Sequence, residues 1–227
     1  MKRTVRMLLS LIIACTLLPI AALAEGSSPM PTQQPTVQPK TPQQLAVEHY
    51  NAGVRMRDKA WKLEAKLLQA PDEKKRAKIA AKIERQYKLA IRDFSAATQK
   101  NPGLHQAHGS LGYALRKTGQ YEDALTSYDR ALRLAPDYTE AIEYRAEAYL
   151  GLGRLEDAKK AYMKLFGMDR GSADTLLTAM QDWVEKRSSD PGDLSFESVS
   201  EFAGWVEART DVARETASLS QQQKRKW

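Results

Sequence analysis

HQAHGSLGYALRKTGQYEDALTSYDRALRLAPDY, residues 105–138, is the stretch from which the fold can be read. Gly119 stands between two short apolar-periodic runs, where one helix must end and reverse into its partner, a position suited to positive φ. Ala124 is small enough to let two antiparallel helices approach closely, and Tyr128, four residues later on the same face, fills the space between them. Ala131 repeats the small contact. Pro136 follows the second run and stops it. The stretch therefore reads as helix, turn, helix.

The same residue types recur on both sides at an offset of 34 residues: Ala90, Ala124 and Ala158; Phe94, Tyr128 and Tyr162; Tyr87, Tyr121 and Leu155; Pro102 and Pro136; Gly119 and Gly153. A period of that length marks stacked supersecondary units, since one hairpin buries too little surface to stand alone. No segment alternates with the two-residue period of a strand. The fold class is all-α: a solenoid of about three hairpins, the first with elongated helices, followed by C-terminal capping helices.

On Leu111-Gly112, Gly119, Tyr121, Ala124-Leu125, Tyr128, Ala131-Leu132 and Pro136, residues 105–138 resemble the tetratricopeptide repeat family nearly throughout. Residues 139–172 keep Ala146, Tyr149, Gly153, Ala158 and Tyr162. They depart at Arg145, where the family has an apolar residue, at Leu165, where it has Ala, and at Arg170, where it has Pro. The first unit, 45–104, departs further. Its second helix is in register through Tyr87, Ala90, Phe94 and Ala97, but Tyr50-Asn51-Ala52-Gly53, the first-helix pattern, lies roughly two dozen residues too far upstream. Two apolar stripes, Leu45 to Leu67 and Ile79 to Ala97, run at helical spacing and can face each other. With Ala70-Pro71-Asp72-Glu73 as turn and helix start, the simplest reading is a protruding hairpin.

Beyond the repeats, residues 173–217 read as capping helices. Leu176, Met180, Trp183 and Val184 line the first; Phe196, Val199, Phe202, Ala203 and Val206 line the second, with Ser198-Val199-Ser200-Glu201 as a capping box. Residues 218–227, polar and basic, read as a disordered tail.

Ahead of the repeats, Lys2, Arg3 and Arg6 precede an apolar run from Met7 to Ala24 that ends in Ala22-Leu23-Ala24, the order of a secretory signal spanning residues 1–24. An uncleaved anchor is the rival reading, and lipidation at Cys15 a third. Residues 25–44 carry Pro29, Pro31, Pro35, Pro39 and Pro42 without periodicity and read as an extended linker. Export to a bacterial periplasm, or secretion, follows from the first reading, and the chain after Ala24 then holds no cysteine. The formal charge of +7 falls to +4 without the three basic residues of the signal, too modest to imply nucleic acid.

Candidates for chemistry are few. His49, His105 and His108 are the only imidazoles, and His105 and His108 lack an evident third metal ligand. No phosphate loop, nucleophile elbow or zinc-protease motif is present. The expectation is a protein without catalytic residues, metal or cofactor. Glu122-Asp123 and Glu156-Asp157, just after turns, suit helix N-termini. The row Lys74, Lys78, Lys82 and Arg85 reads as a solvated helix face or a peripheral contact with an anionic membrane or polymer.

The resemblance implies a groove lined by the first helix of each hairpin, which in the family receives peptides or extended segments of partner proteins. The positions that match are Tyr50, Val54 and Arg57; Gln106, Tyr113, Arg116 and Lys117; and Glu140, Glu143, Glu147 and Leu150. Such a groove is expected to be charge-polarised, basic at Arg116 and Lys117 and acidic along the glutamate row. The two-carboxylate clamp of chaperone-binding members is not reproduced, since Tyr50 and Glu140 stand where it wants basic residues. The functional expectation is a scaffold for another envelope protein or peptide. The alternatives are an assembly component that self-associates or docks on a membrane complex through the protruding hairpin, with Trp61 and Leu68 as exposed contacts, and an accessory of a cell-envelope hydrolase.

Overall fold

A computed structural model describes the backbone of residues 39–224 and the side chains to Thr216. The signal-like segment, Cys15, most of the linker and residues 225–227 lie outside the described residues. Helices follow in the order α1 (Pro42–Leu68), α2 (Glu73–Lys100), α3 (His105–Lys117), α4 (Tyr121–Leu134), α5 (Thr139–Gly151), α6 (Leu155–Met168), α7 (Arg170–Ser189) and α8 (Phe196–Lys224), with no strand among the described residues.

Local chemistry sets most of the boundaries. Thr41 caps α1 through a reciprocal capping box with Gln44, and Pro42 opens the first turn. The helix thus starts three residues inside the stretch expected to be linker. Asp72 caps α2 by accepting from the Lys75 amide at 2.8 Å. Gly119 and Gly153 adopt φ of 79° and 69°. After each, the chain closes with a six-residue backbone bond, Gln120 N to Leu115 O at 3.0 Å and Arg154 N to Tyr149 O at 2.8 Å. Glu122 and Asp123, and Glu156 and Asp157, occupy the first turns of α4 and α6, where they complement the helix dipole.

Two expectations at the C-terminal end are corrected. The capping side chain of α8 is Ser195, which accepts from the Ser198 amide at 3.0 Å, so Ser198 and Glu201 are not a capping box. The helix then runs to Lys224, through residues expected to be a disordered tail. Likewise α7 begins at Arg170, because Asp169 accepts from the Gly171 and Ser172 amides.

Three hairpins, α1/α2, α3/α4 and α5/α6, stack in order, and α7/α8 closes the end. Helices α1, α3, α5 and α7 contact one another in sequence and form an inner layer, with α2, α4 and α6 behind them. The period explains the core: Ala90, Ala124 and Ala158 are fully buried, as are Phe94, Tyr128 and Tyr162. A Cβ on Gly112 would meet the Tyr128 ring at 2.7 Å, and one on Gly53 the Phe94 ring at 2.6 Å. Gly53 therefore does in the displaced first unit what Gly112 does in the second. Beyond Phe202 the cap is aromatic, with Trp183 edge-on to Phe202 at 5.4 Å and Trp205 edge-on to Tyr162 at 5.5 Å. Phe196, expected among the packing residues of α8, is 64% exposed.

Candidate functional site

The inner layer carries two depressions. The first, about 160 Å³, lies between α1, α3 and α5 and is walled by Arg57, Trp61, Tyr113, Tyr138 and Tyr144, with Gly109 and Ser110 at its floor and Glu140 at its rim. Trp61 Nε1 donates to the Tyr113 hydroxyl at 2.7 Å, and the two rings meet edge-on at 5.9 Å. Tyr113 in turn meets Tyr144 at 5.0 Å. Gly109 keeps the floor open for Tyr138, whose ring edge would stand 2.8 Å from a Cβ there. Arg57 lies over the Trp61 ring at 4.3 Å and pairs with Asp58. Burial raises the Tyr138 and Tyr144 hydroxyls to about 12, so both are neutral donors across the physiological range.

The second depression, about 500 Å³, lies between α3, α5 and α7 and is polar, with Lys117, Glu147, Asp182, Lys186 and Arg187 around Trp183. Between the two runs the Arg116–Glu147 ion pair, at 2.6 Å. Burial works against the Arg116 cation, but the Glu147 carboxylate outweighs it and the pKa is raised. Lys117 pairs with Glu64 at 2.8 Å, and Glu64 also accepts from the Tyr87 hydroxyl at 2.9 Å.

The positions read as groove residues therefore divide. Tyr113, Arg116, Lys117, Glu147 and Arg57 come together on the inner layer, and Gln106 and Glu140 are exposed at its edge. Tyr50 and Val54 are half-buried against the first core, with the Tyr50 ring 5.8 Å from Phe94. Leu150 is 3% exposed and packs into the last core while its carbonyl accepts from Trp183 Nε1 at 2.8 Å, so it borders the second depression mainly from within the core. The expected polarity is also corrected: Arg116 and Lys117 are neutralised across helices by Glu147 and Glu64, and Glu143 is buried.

Three residues outside the expected groove set shape this face. Trp61, expected as an exposed contact of the hairpin and 41% exposed, also reaches Tyr113 of α3; its spacing of four from Arg57 is the signal in the sequence. Tyr144 and Glu64 reach the face only because neighbouring helices bring Tyr113 and Lys117 to them. Arg145, out of pattern for its repeat, pairs with Asp129 of α4 at 2.6 Å.

The remaining candidates do not converge. His108 Nε2 lies 3.0 Å from the Pro102 carbonyl, with its pKa lowered by burial, and His105 stands edge-on to Tyr138 at 5.2 Å. Among the described residues no three His, Cys, Asp or Glu side chains group as metal ligands. Lys74, Lys78, Lys82 and Arg85 are all exposed.

Residues 112–153 match a family model described as TPR repeat, and residues 145–171 one described as Tetratricopeptide repeat. Curated relatives include "Protein STIP1 homolog" of Dictyostelium discoideum, 30% identical over 36% of this chain and 14% of its own. "Hsp70-Hsp90 organizing protein" of Triticum aestivum is 31% identical over 43% of this chain and 17% of its own. "Protein FlbA" of Caulobacter vibrioides is 38% identical over 30% and 12%. The chain thus spans less than a fifth of each relative's length. Similar solved structures include the first TPR of Spaghetti (RPAP3) bound to the HSP90 peptide SRMEEVD, at TM-score 0.42 and 18% identity over 59% of this chain and 94% of that one. MamA of RS-1 stands at TM-score 0.38 and 17% identity over 72% and 93%. The two family matches overlap and together cover residues 112–171, within the stretch that carries the 34-residue period.

Proposed function

We propose that this protein is an exported, non-catalytic scaffold that holds an extended segment of a partner protein, of the bacterial cell envelope, along its inner layer. The observation that carries the reading is the aromatic depression between α1, α3 and α5, where Trp61, Tyr113, Tyr138 and Tyr144 are preorganised by ring contacts and one hydrogen bond. Rigid aromatic walls around a small cleft suit an apolar side chain of a ligand, and such anchors supply most of the affinity of an interface. The wider depression beside it carries the exposed Lys186 and the half-buried Arg187 and suits an acidic stretch of the same segment. Export rests on the basic, apolar, small-residue order of residues 1–24.

A photo-crosslinking residue at Gln106, exposed at the edge of the layer, is expected to capture a defined partner in cells, and one at Thr126 on α4 is not. Trp61→Ala, a change at a partly exposed position, should weaken that partner's binding by roughly 30-fold or more. Equal capture at both positions, or a partner indifferent to Trp61→Ala, would remove the inner layer from consideration.

A further inference from the structure

The first hairpin carries two rows of cations that the inner layer does not use. On α1, Arg55, Lys59, Lys62 and Lys66 follow at spacings of four, three and four. On α2, Lys74, Lys78, Lys82 and Arg85 follow at four, four and three. At about 100° per residue each row keeps within ~80° of its helix. All eight are exposed, and none takes part in an ion pair.

Their direction follows from the contacts opposite. Trp61 and Glu64 mark the flank of α1 that meets α3, through Tyr113 and Lys117, and the cation row lies roughly 165° round from it. On α2, Tyr87 faces α3 with its ring 6.1 Å from Tyr113, and the row again lies roughly opposite the packed stripe. Both rows therefore face away from the rest of the array.

Their natural counter-charges are engaged elsewhere. Glu48 holds Lys40, Asp58 holds Arg57, Glu64 holds Lys117, Asp72 caps α2, Glu84 holds Lys88 and Asp93 holds Arg92. Only Glu73 remains without an ion pair on the two helices. At the turn between the rows Leu68 is 88% exposed, an apolar tip flanked by Lys66 and Lys74.

The chemistry of this face selects its occupant. A single-stranded nucleic acid needs exposed aromatic rings for its bases, and the rings of this hairpin are turned into the core or toward α3. A second copy of the chain could offer the outward carboxylates of α8, but Glu197, Glu201, Glu207, Asp211 and Glu215 are five against eight cations, Asp211 already pairs with Arg214, and isolated surface pairs contribute little. A plane of anionic headgroups meets every cation at once and receives an apolar tip at its interface.

We propose that the outer face of the α1/α2 hairpin docks on a bilayer surface rich in anionic phospholipid, with Leu68 entering the interfacial layer. The proposal stands independently of the peptide-binding reading. The test is co-sedimentation of the full chain with phosphatidylcholine vesicles, with and without a minority of phosphatidylglycerol. Any contribution of the N-terminal apolar run and of Lys2, Arg3 and Arg6 before it is common to all variants, so it cancels when the two charge-reversal pairs are compared with the unaltered chain. Binding should require phosphatidylglycerol for its larger part and lose that part in ~1 M salt, where screening acts within about 3 Å. Lys78→Glu with Lys82→Glu should lower partitioning on the order of 100-fold. Arg133→Glu with Lys160→Glu, an equal change of net charge at exposed positions on α4 and α6, should leave it within a few-fold. Unchanged helical circular dichroism would show that the variants are folded. Equal binding to neutral vesicles, or an equal loss in both pairs, would overturn the proposal. So would a Lys78/Lys82 variant that keeps vesicle binding but loses self-association in light scattering or affinity for a labelled oligonucleotide.

Discussion

Glu143 illustrates how much one turn of helix decides at the residue scale. It is one of three glutamates spaced along α5, but it is 7% exposed where Glu140 is open, because α7 packs over it. Burial, then the neighbouring Glu147 carboxylate, raises its pKa to about 7 from 4.5, against the opposing pull of Ser172 and Arg116. The folded state therefore holds a proton that the unfolded chain has lost between these two values, so this residue's contribution to stability is greatest at the acid end and falls as pH rises toward about 7. Glu143→Gln is expected to match the wild type near pH 4 and to exceed its stability near pH 8 by roughly 1–2 kcal/mol in denaturant unfolding. A variant less stable than the wild type at pH 8 would show that the ionised carboxylate is held by favourable contacts instead. The spacing of the acidic row was readable; which member was buried was not, since that depends on where a helix some thirty residues later comes to lie.

At the scale of elements, the α1/α2 hairpin shows local signals acting as written. Ala70-Pro71-Asp72-Glu73 ends one helix and starts the next, as its residue types imply. Past Glu64, which still reaches Lys117, the two helices pack on each other rather than on α3. The Asp72 cap should therefore govern a local opening: Asp72→Ala costs about 1 kcal/mol and is expected to speed exchange of the Lys75 and Arg76 amides, which bond to Asp72, by roughly 5-fold. Exchange of residues 87–97, in the packed half of α2, should stay as it was. Acceleration of both alike would mean that the hairpin opens as one unit with the array. Boundaries were less legible where competing caps lay close together. Thr41 starts α1 ahead of the apolar stripe, and Ser195 displaces Ser198 as the cap of α8, because the cap belongs to whichever side chain precedes the first helical turn.

For the whole molecule, stability in a stacked array is close to a sum of unit and neighbour terms, so the last interface matters out of proportion to its size. Phe202 is fully buried between Trp183, Trp205 and the α5/α6 core. Phe202→Ala should remove about 3–5 kcal/mol and melt the C-terminal units first. Thermal unfolding would then split in two, with exchange protection lost over α6 to α8 before α2 and α3. A single transition at an unchanged midpoint would mean that α8 does not close the array.

The period of alanines and aromatics, the turn glycines and the prolines after each second helix determined by themselves that this chain is helical, how many hairpins stack, and that the first is prolonged. Those features are local or recur at a fixed offset, and the physics that reads them, helix reversal and close approach, acts within one or two units. Only the tertiary structure decided that Trp61 joins the inner layer, that Arg116 and Lys117 are neutralised by Glu147 and Glu64, that Leu150 is core, and that eight cations of the first hairpin are left facing outward. The charge of a face is set by pairings between helices, and no period in the chain records which side chains meet across them.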